Sequence, residues 1–98
     1  MELKYTPKGI REIEEETGKP VQELLADFSI KTINLFVQKG MGVKEEEADK
    51  AIEEYLAEDK DTFVLYTEIM ESLQKSGFLP RQLDLKKVKK DMGEALKE

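Results

Sequence analysis

The chain contains no cysteine, no histidine and no tryptophan. Without cysteine there is no disulfide framework, no thiol nucleophile and no thiolate metal site. Without histidine the commonest general base and the commonest transition-metal ligand are missing. The remaining chemical vocabulary is carboxylates, lysine, arginine, tyrosine and a few hydroxyls. No enzyme, no cofactor and no metal site is expected from it. Long apolar runs are absent too. No stretch of about 20 apolar residues exists to span a bilayer. The opening MELKYTPKG lacks the apolar centre of a signal peptide. The expected compartment is therefore the cytoplasm, with no membrane contact.

What is present fits one small domain. Of 98 residues, 39% are hydrophobic and another 39% are charged. That supports one modest core and leaves no room for two. The net charge is −6 and is uneven along the chain. Residues 1–80 hold 10 Lys and Arg against 18 Asp and Glu; residues 81–98 hold 6 against 4. An acidic body repels phosphate, which argues against nucleic acid as the main partner.

The clearest local signal is Tyr5–Pro20, YTPKGIREIEEETGKP. Thr6 is placed to cap a helix, with Pro7 at its first position, where a missing N–H costs nothing. Tyr5 precedes the cap and is expected to fold over Ile10 as a hydrophobic staple. Ile10, Ile13 and Thr17 mark one face, Gly18 ends the helix, and Glu14–Glu16 read as a solvated run.

The spacing predicts a second helix over roughly Pro20–Phe28, with Val21, Leu24, Leu25 and Phe28 on one face. Ser29 is placed to cap a third, roughly Ile30–Lys39. Ile30, Ile33, Phe36 and Val37 share one side of it and Leu35 stands outside. A helix apolar on more than one side is expected to be the most buried element. Gly40-Met41-Gly42 reads as a turn, with Met41 plugging the core or standing out as a mobile apolar contact.

A fourth helix, roughly Lys44–Glu58, buries Ala48, Ala51, Ile52, Tyr55 and Leu56, with Glu45–Glu47 in its first turn and a Glu46–Lys50 pair. Asp59 and Asp61 offer caps for a fifth, roughly Thr62–Ser76, ended by Gly77. Phe78-Leu79-Pro80 is an apolar corner. Asp84 then caps a last amphipathic helix to about residue 97, with Leu85, Val88, Met92, Ala95 and Leu96 in its stripe and four lysines beside it. The predicted fold is all-α: a compact single-domain bundle of five to six short helices, residues 1–80 forming the body and 81–98 a C-terminal amphipathic helix, docked or partner-binding.

Two motifs fail on spacing and a third on charge. Gly18-Lys19 has Ile13 and Pro20 where a phosphate loop needs Gly and Ser or Thr. The loop from Asp59 has Phe63, Val64 and Met70 where a calcium loop needs an oxygen ligand, Gly and Glu. A helix-turn-helix reader needs a basic second helix, and only the terminal segment is basic.

One resemblance does emerge. Ile10/Ile13, the acidic Glu14–Glu16, Thr17-Gly18-Lys19, Leu24-Leu25, the Gly40-Met41-Gly42 break, the acidic opening of the fourth helix and Ser76-Gly77-Phe78 occur in an order that resembles the small tail assembly chaperones of siphophages infecting Gram-positive bacteria. The similarity covers about residues 3–80. Pro20 departs from it, since such proteins often have a capping Ser or Thr there. The resemblance implies a non-catalytic protein of the host cytoplasm. It would bind the tape measure protein, a long helical rod, and keep it soluble until tail tube subunits assemble around it. It also implies self-association. It carries over no active site.

Candidate partner-binding residues from the apolar pattern are Met41, Phe78, Leu79, Leu85, Val88, Met92 and Leu96. The competing reading is a small phage or bacterial regulator that grips protein or DNA through its basic C-terminal helix, using Lys86, Lys87, Lys89 and Lys90.

Overall fold

Thr6 accepts a hydrogen bond from the Gly9 backbone N–H at 3.1 Å and starts helix α1, Pro7–Thr17, with proline in its first turn. This computed structural model describes residues 1–27 and 29–79. Gly18 closes α1 in the left-handed conformation, at φ 71°, where only glycine is free of a Cβ penalty. Four more helices follow: α2, Val21–Leu24; α3, Ile30–Met41; α4, Glu45–Leu56; and α5, Thr62–Lys75. The architecture is all-α, with no strand among the described residues.

The caps explain most boundaries. Ser29 Oγ accepts from Thr32 N at 3.3 Å, and Asp61 Oδ1 accepts from Val64 N at 2.9 Å. Asp59 does not cap; it takes a left-handed turn at φ 63°. The acidic run in α1 is more than a solvated face. Pro20 has no side-chain oxygen to cap α2, and Glu14 Oε2 reaches across to accept from Val21 N at 3.0 Å. At the end of α5, Phe78 N donates to Leu73 O and Gly77 N to Gln74 O, the paired bonds of a Schellman turn.

Several expectations need correction. The second helix is four residues long, not nine; Leu25 and Ala26 already turn, and Phe28 lies outside the described residues. The third helix does not stop at Lys39. Gly40 and Met41 continue it, and Gly42 is the cap, at φ 70°. Met41 is 38% exposed and plugs nothing. Glu46 and Lys50 form no ion pair.

The centre of the molecule is α3, which packs on α1, α4 and α5. Ile33, Phe36 and Val37 are buried there with Ile13 from α1, Ala48 and Ile52 from α4, and Leu65, Ile69 and Leu73 from α5. Ile30, expected in the same stripe, is 54% exposed. The burial of α3 begins two residues later, at Thr32.

The N-terminal residues tie across α3. Lys4 N donates to Gly40 O at 2.8 Å, and the Tyr5 hydroxyl donates to Phe36 O at 2.8 Å. The Tyr5 ring meets Phe36 edge-on, with centroids 6.2 Å apart. Tyr5 thus anchors the chain start to α3 and is more than a staple on its own helix.

No helix among the described residues is long and apolar enough to cross a membrane. The expected terminal helix and its stripe, Leu85, Val88, Met92 and Leu96, lie outside the described residues.

Candidate functional site

The outward strip of α3 is the floor of an open groove of about 640 Å³. Ile30, Lys31, Asn34, Leu35 and Gln38 line it from α3, Glu16 and Thr17 from the end of α1, and Glu45 and Asp49 from the first turns of α4. Those three elements pack together through the core, and two polar contacts tie them beside the groove. On one side Lys39 Nζ lies 2.9 Å from Glu12 and 3.4 Å from Glu16, bridging α3 to α1. The Lys39 hydrogen bond and charge hold the Glu12 carboxyl below its ordinary pKa, and the Glu12 hydrogen bond raises that of Lys39. Both partners are partly solvated, so the tie is weak and screened by salt.

On the other side Asn34, only 6% exposed, donates through Nδ2 to Glu45 O at 3.2 Å and to Asp49 Oδ1 at 2.6 Å. Its Oδ1 accepts from Gln38 Nε2. Both amide protons and the carbonyl of Asn34 are therefore used, and the residue latches α3 to the start of α4. Asn34→Ala is expected to cost about 1–2 kcal/mol, because the groove lets water replace part of what is lost. A denaturant midpoint unchanged from the parent would show that the latch carries no stability.

The groove is acidic. Glu16, Asp27, Glu45 and Asp49 face two lysines, Lys19 and Lys31. Asp27 is fixed as an anion: Ser29 N donates to Oδ1 at 2.9 Å and Thr32 Oγ1 to Oδ2 at 2.8 Å. The Ser29 backbone bond, then the Thr32 hydroxyl, pull its pKa down. Glu45 and Asp49 are exposed and carry no counter-ion among the described residues. The apolar share of the lining is Leu24, Leu35 and the half-exposed Ile30. No group of three acidic side chains among the described residues is placed to hold a metal ion.

A second, smaller hollow of about 180 Å³ lies between Met1, Met41, Ala51 and Tyr55. Tyr55 Oη and Glu68 Oε2 are both sealed from solvent nearby, and neither closes a hydrogen bond of good geometry. The carboxylate is still close enough to matter: burial first, then Glu68, pushes the Tyr55 pKa up to about 12. Burial also raises Tyr5 and Tyr66.

These are all three tyrosines of the chain. A raised folded pKa contributes stability that is complete below the ordinary value of about 10. The contribution is lost as pH climbs from there through about 12. Alkaline absorbance titration should show no phenolate step near the ordinary value, then one steep step that coincides with loss of helical circular dichroism. Three independent, reversible titrations in the folded chain would overturn the burial of these hydroxyls.

Of the residues singled out from sequence, Met41, Phe78 and Leu79 are described, and these three are not gathered into one site. Met41 is exposed beside Met1. Leu79 is 6% exposed and Phe78 is half-buried, both packed on the core, because the turn after α5 folds them back. They form no open apolar patch. Conversely, Ile30, Asn34, Glu45 and Asp49 were not singled out. A signal existed for Asn34: asparagine inside an apolar helix is disfavoured unless its amide is used. No protein-family model matches this chain, and no curated protein or solved structure matches it.

Proposed function

We propose that this chain is a non-catalytic tail assembly chaperone of a siphophage, which holds the tape measure protein in solution in the host cytoplasm until tail tube subunits take it over. The observation that carries the reading is the order of marks from Ile10 to Phe78, including Thr17-Gly18-Lys19 and the glycines around Met41. Physical sense supports it. A rod protein awaiting assembly exposes apolar stripes along its helices. A carrier must offer apolar surface to those stripes, release them, and stay dispersed itself. The net charge of −6 favours dispersal. Exposed Ile30 on the central helix supplies part of such a surface. Self-association belongs to the same proposal.

The test is co-expression with a siphophage tape measure protein from the same genome. The soluble fraction of the rod protein should rise, and the two should co-purify. No change in solubility together with no co-purification would sink the reading. A second reading, a regulator gripping protein or DNA, rests on Lys86, Lys87, Lys89 and Lys90. Retention on DNA at physiological salt, abolished by changing those four lysines to glutamate, would replace the first reading with this one.

A further inference from the structure

The strip of α3 that carries Ile30, Asn34 and Leu35 is a part of the central helix that an open groove leaves accessible to another element. Its chemistry is specific. Ile30 is 54% exposed, an unusual state for a large aliphatic residue at the start of the most buried helix. Leu35, half-buried, lines the same groove. Four carboxylates and two lysines line the groove, and the carboxylates at the α4 side, Glu45 and Asp49, have no cation among the described residues.

We infer that this groove docks a cationic amphipathic helix of a second polypeptide, with aliphatic side chains on Ile30 and Leu35 and lysine or arginine on Glu45 and Asp49.

Size and charge both favour that occupant. A volume of about 640 Å³ is too small to enclose a helix. It is large enough to take several side chains from one face of a helix about 10 Å across. An anionic or neutral helix would desolvate the Glu45 and Asp49 carboxylates with no cation to offset their charge, a penalty that selects against it. Two copies meeting groove to groove would bring like charge together. Among the described residues Leu79 is buried in the core, and no residue of α5 or of the turn after it lines the groove.

The inference rests on the carrier reading only for the owner of the helix. The chemistry of the groove stands without it.

The probe is a synthetic amphipathic peptide of leucine and lysine, Ac-LKKLLKLLKKLLKL-NH2, titrated into the full chain and followed by amide NMR. Its comparator is the same peptide with every lysine changed to glutamate. At about 0.1 M salt the cationic peptide should bind with micromolar affinity, and the acidic one at least about tenfold more weakly. Shifts should concentrate on Lys31, Asn34, Leu35, Glu45 and Asp49. Ile30→Glu removes an exposed aliphatic side chain, so the fold should persist, while cationic-peptide affinity should fall at least about tenfold. Glu45→Lys should narrow the preference between the two peptides.

Equal binding of both peptides, or shifts confined to another face, would overturn the inference. So would binding that appears only after Leu85→Asp and Val88→Asp in the full chain, since the groove would then belong to the chain's own C-terminal segment. Co-expression of Ile30→Glu with the tape measure protein separates the two ideas. Lost peptide binding with rod solubility intact upholds the groove and removes it from the carrier role. Lost binding with lost solubility joins them.

Discussion

Tyr5→Ala is expected to cost about 3–5 kcal/mol, the largest loss of any substitution outside the helices. Tyr5 is 4% exposed, its hydroxyl donates to Phe36 O, and its ring meets Phe36 edge-on. Alanine removes the ring, the hydrogen bond and the aromatic contact together. A chain of this size has roughly 5–10 kcal/mol in all, so the variant should lose about a third or more of its stability. Its thermal midpoint should fall by at least about 12 °C. Tyr5→Phe keeps the ring and should cost only about 1 kcal/mol. Calorimetry or thermal circular dichroism decides the matter. A fall of only a few degrees for alanine would mean that the N-terminal residues are dispensable to the core.

Gly40→Leu should have the next largest effect, about 2–3 kcal/mol. A Cβ at Gly40 would lie 2.8 Å from Leu3 Cδ2 and 2.9 Å from both Tyr5 Cζ and Oη. The leucine can move aside cheaply, since its methyl is the end of a flexible side chain. The tyrosine cannot, because Phe36 holds it at both ring and hydroxyl. Helix propensity works the other way, by up to about 1 kcal/mol for replacing a helical glycine. The two substitutions should therefore be coupled. In a Tyr5→Ala background, Gly40→Ala should be neutral or stabilising, because the obstructing ring is gone. Simple additivity in denaturant unfolding would show that Gly40 is small for some reason other than Tyr5.

These two residues also show where the sequence was readable and where it was not. The bounds of α1 could be read in full, because Thr6, Pro7 and Gly18 each act on the backbone within a few residues. Ser29, Asp61 and Gly77 were readable on the same ground. Gly40 was not. A glycine two residues before another glycine suggests a turn, yet Gly42 alone makes the turn and Gly40 is a landing place for Tyr5. That role depends on a residue 35 positions earlier, and no local pattern reports it.

The groove was hidden for a related reason. Periodicity put Ile30 on the core side with Ile33 and Val37, but whether a face is covered depends on which neighbour reaches it. The short α2 leaves the first turn of α3 open. Glu14 shows the same limit. Its sequence marks a polar surface, and only the fold shows that it caps the helix after its own. Phe78 and Leu79 looked like an apolar patch because the Schellman turn that folds them inward is made by backbone bonds to Leu73 and Gln74.

The crossing of residues 3–5 over the last turn of α3 also sets an order of events during synthesis. The acceptors for Lys4 N and the Tyr5 hydroxyl, Gly40 O and Phe36 O, are translated more than thirty residues later. Until they emerge, the first residues have nowhere to dock, and closing that span carries the entropy of a long loop. A nascent chain halted before Gly40 emerges should therefore have residues 3–5 open to proteases, and one from which α4 and α5 have also emerged should have them protected.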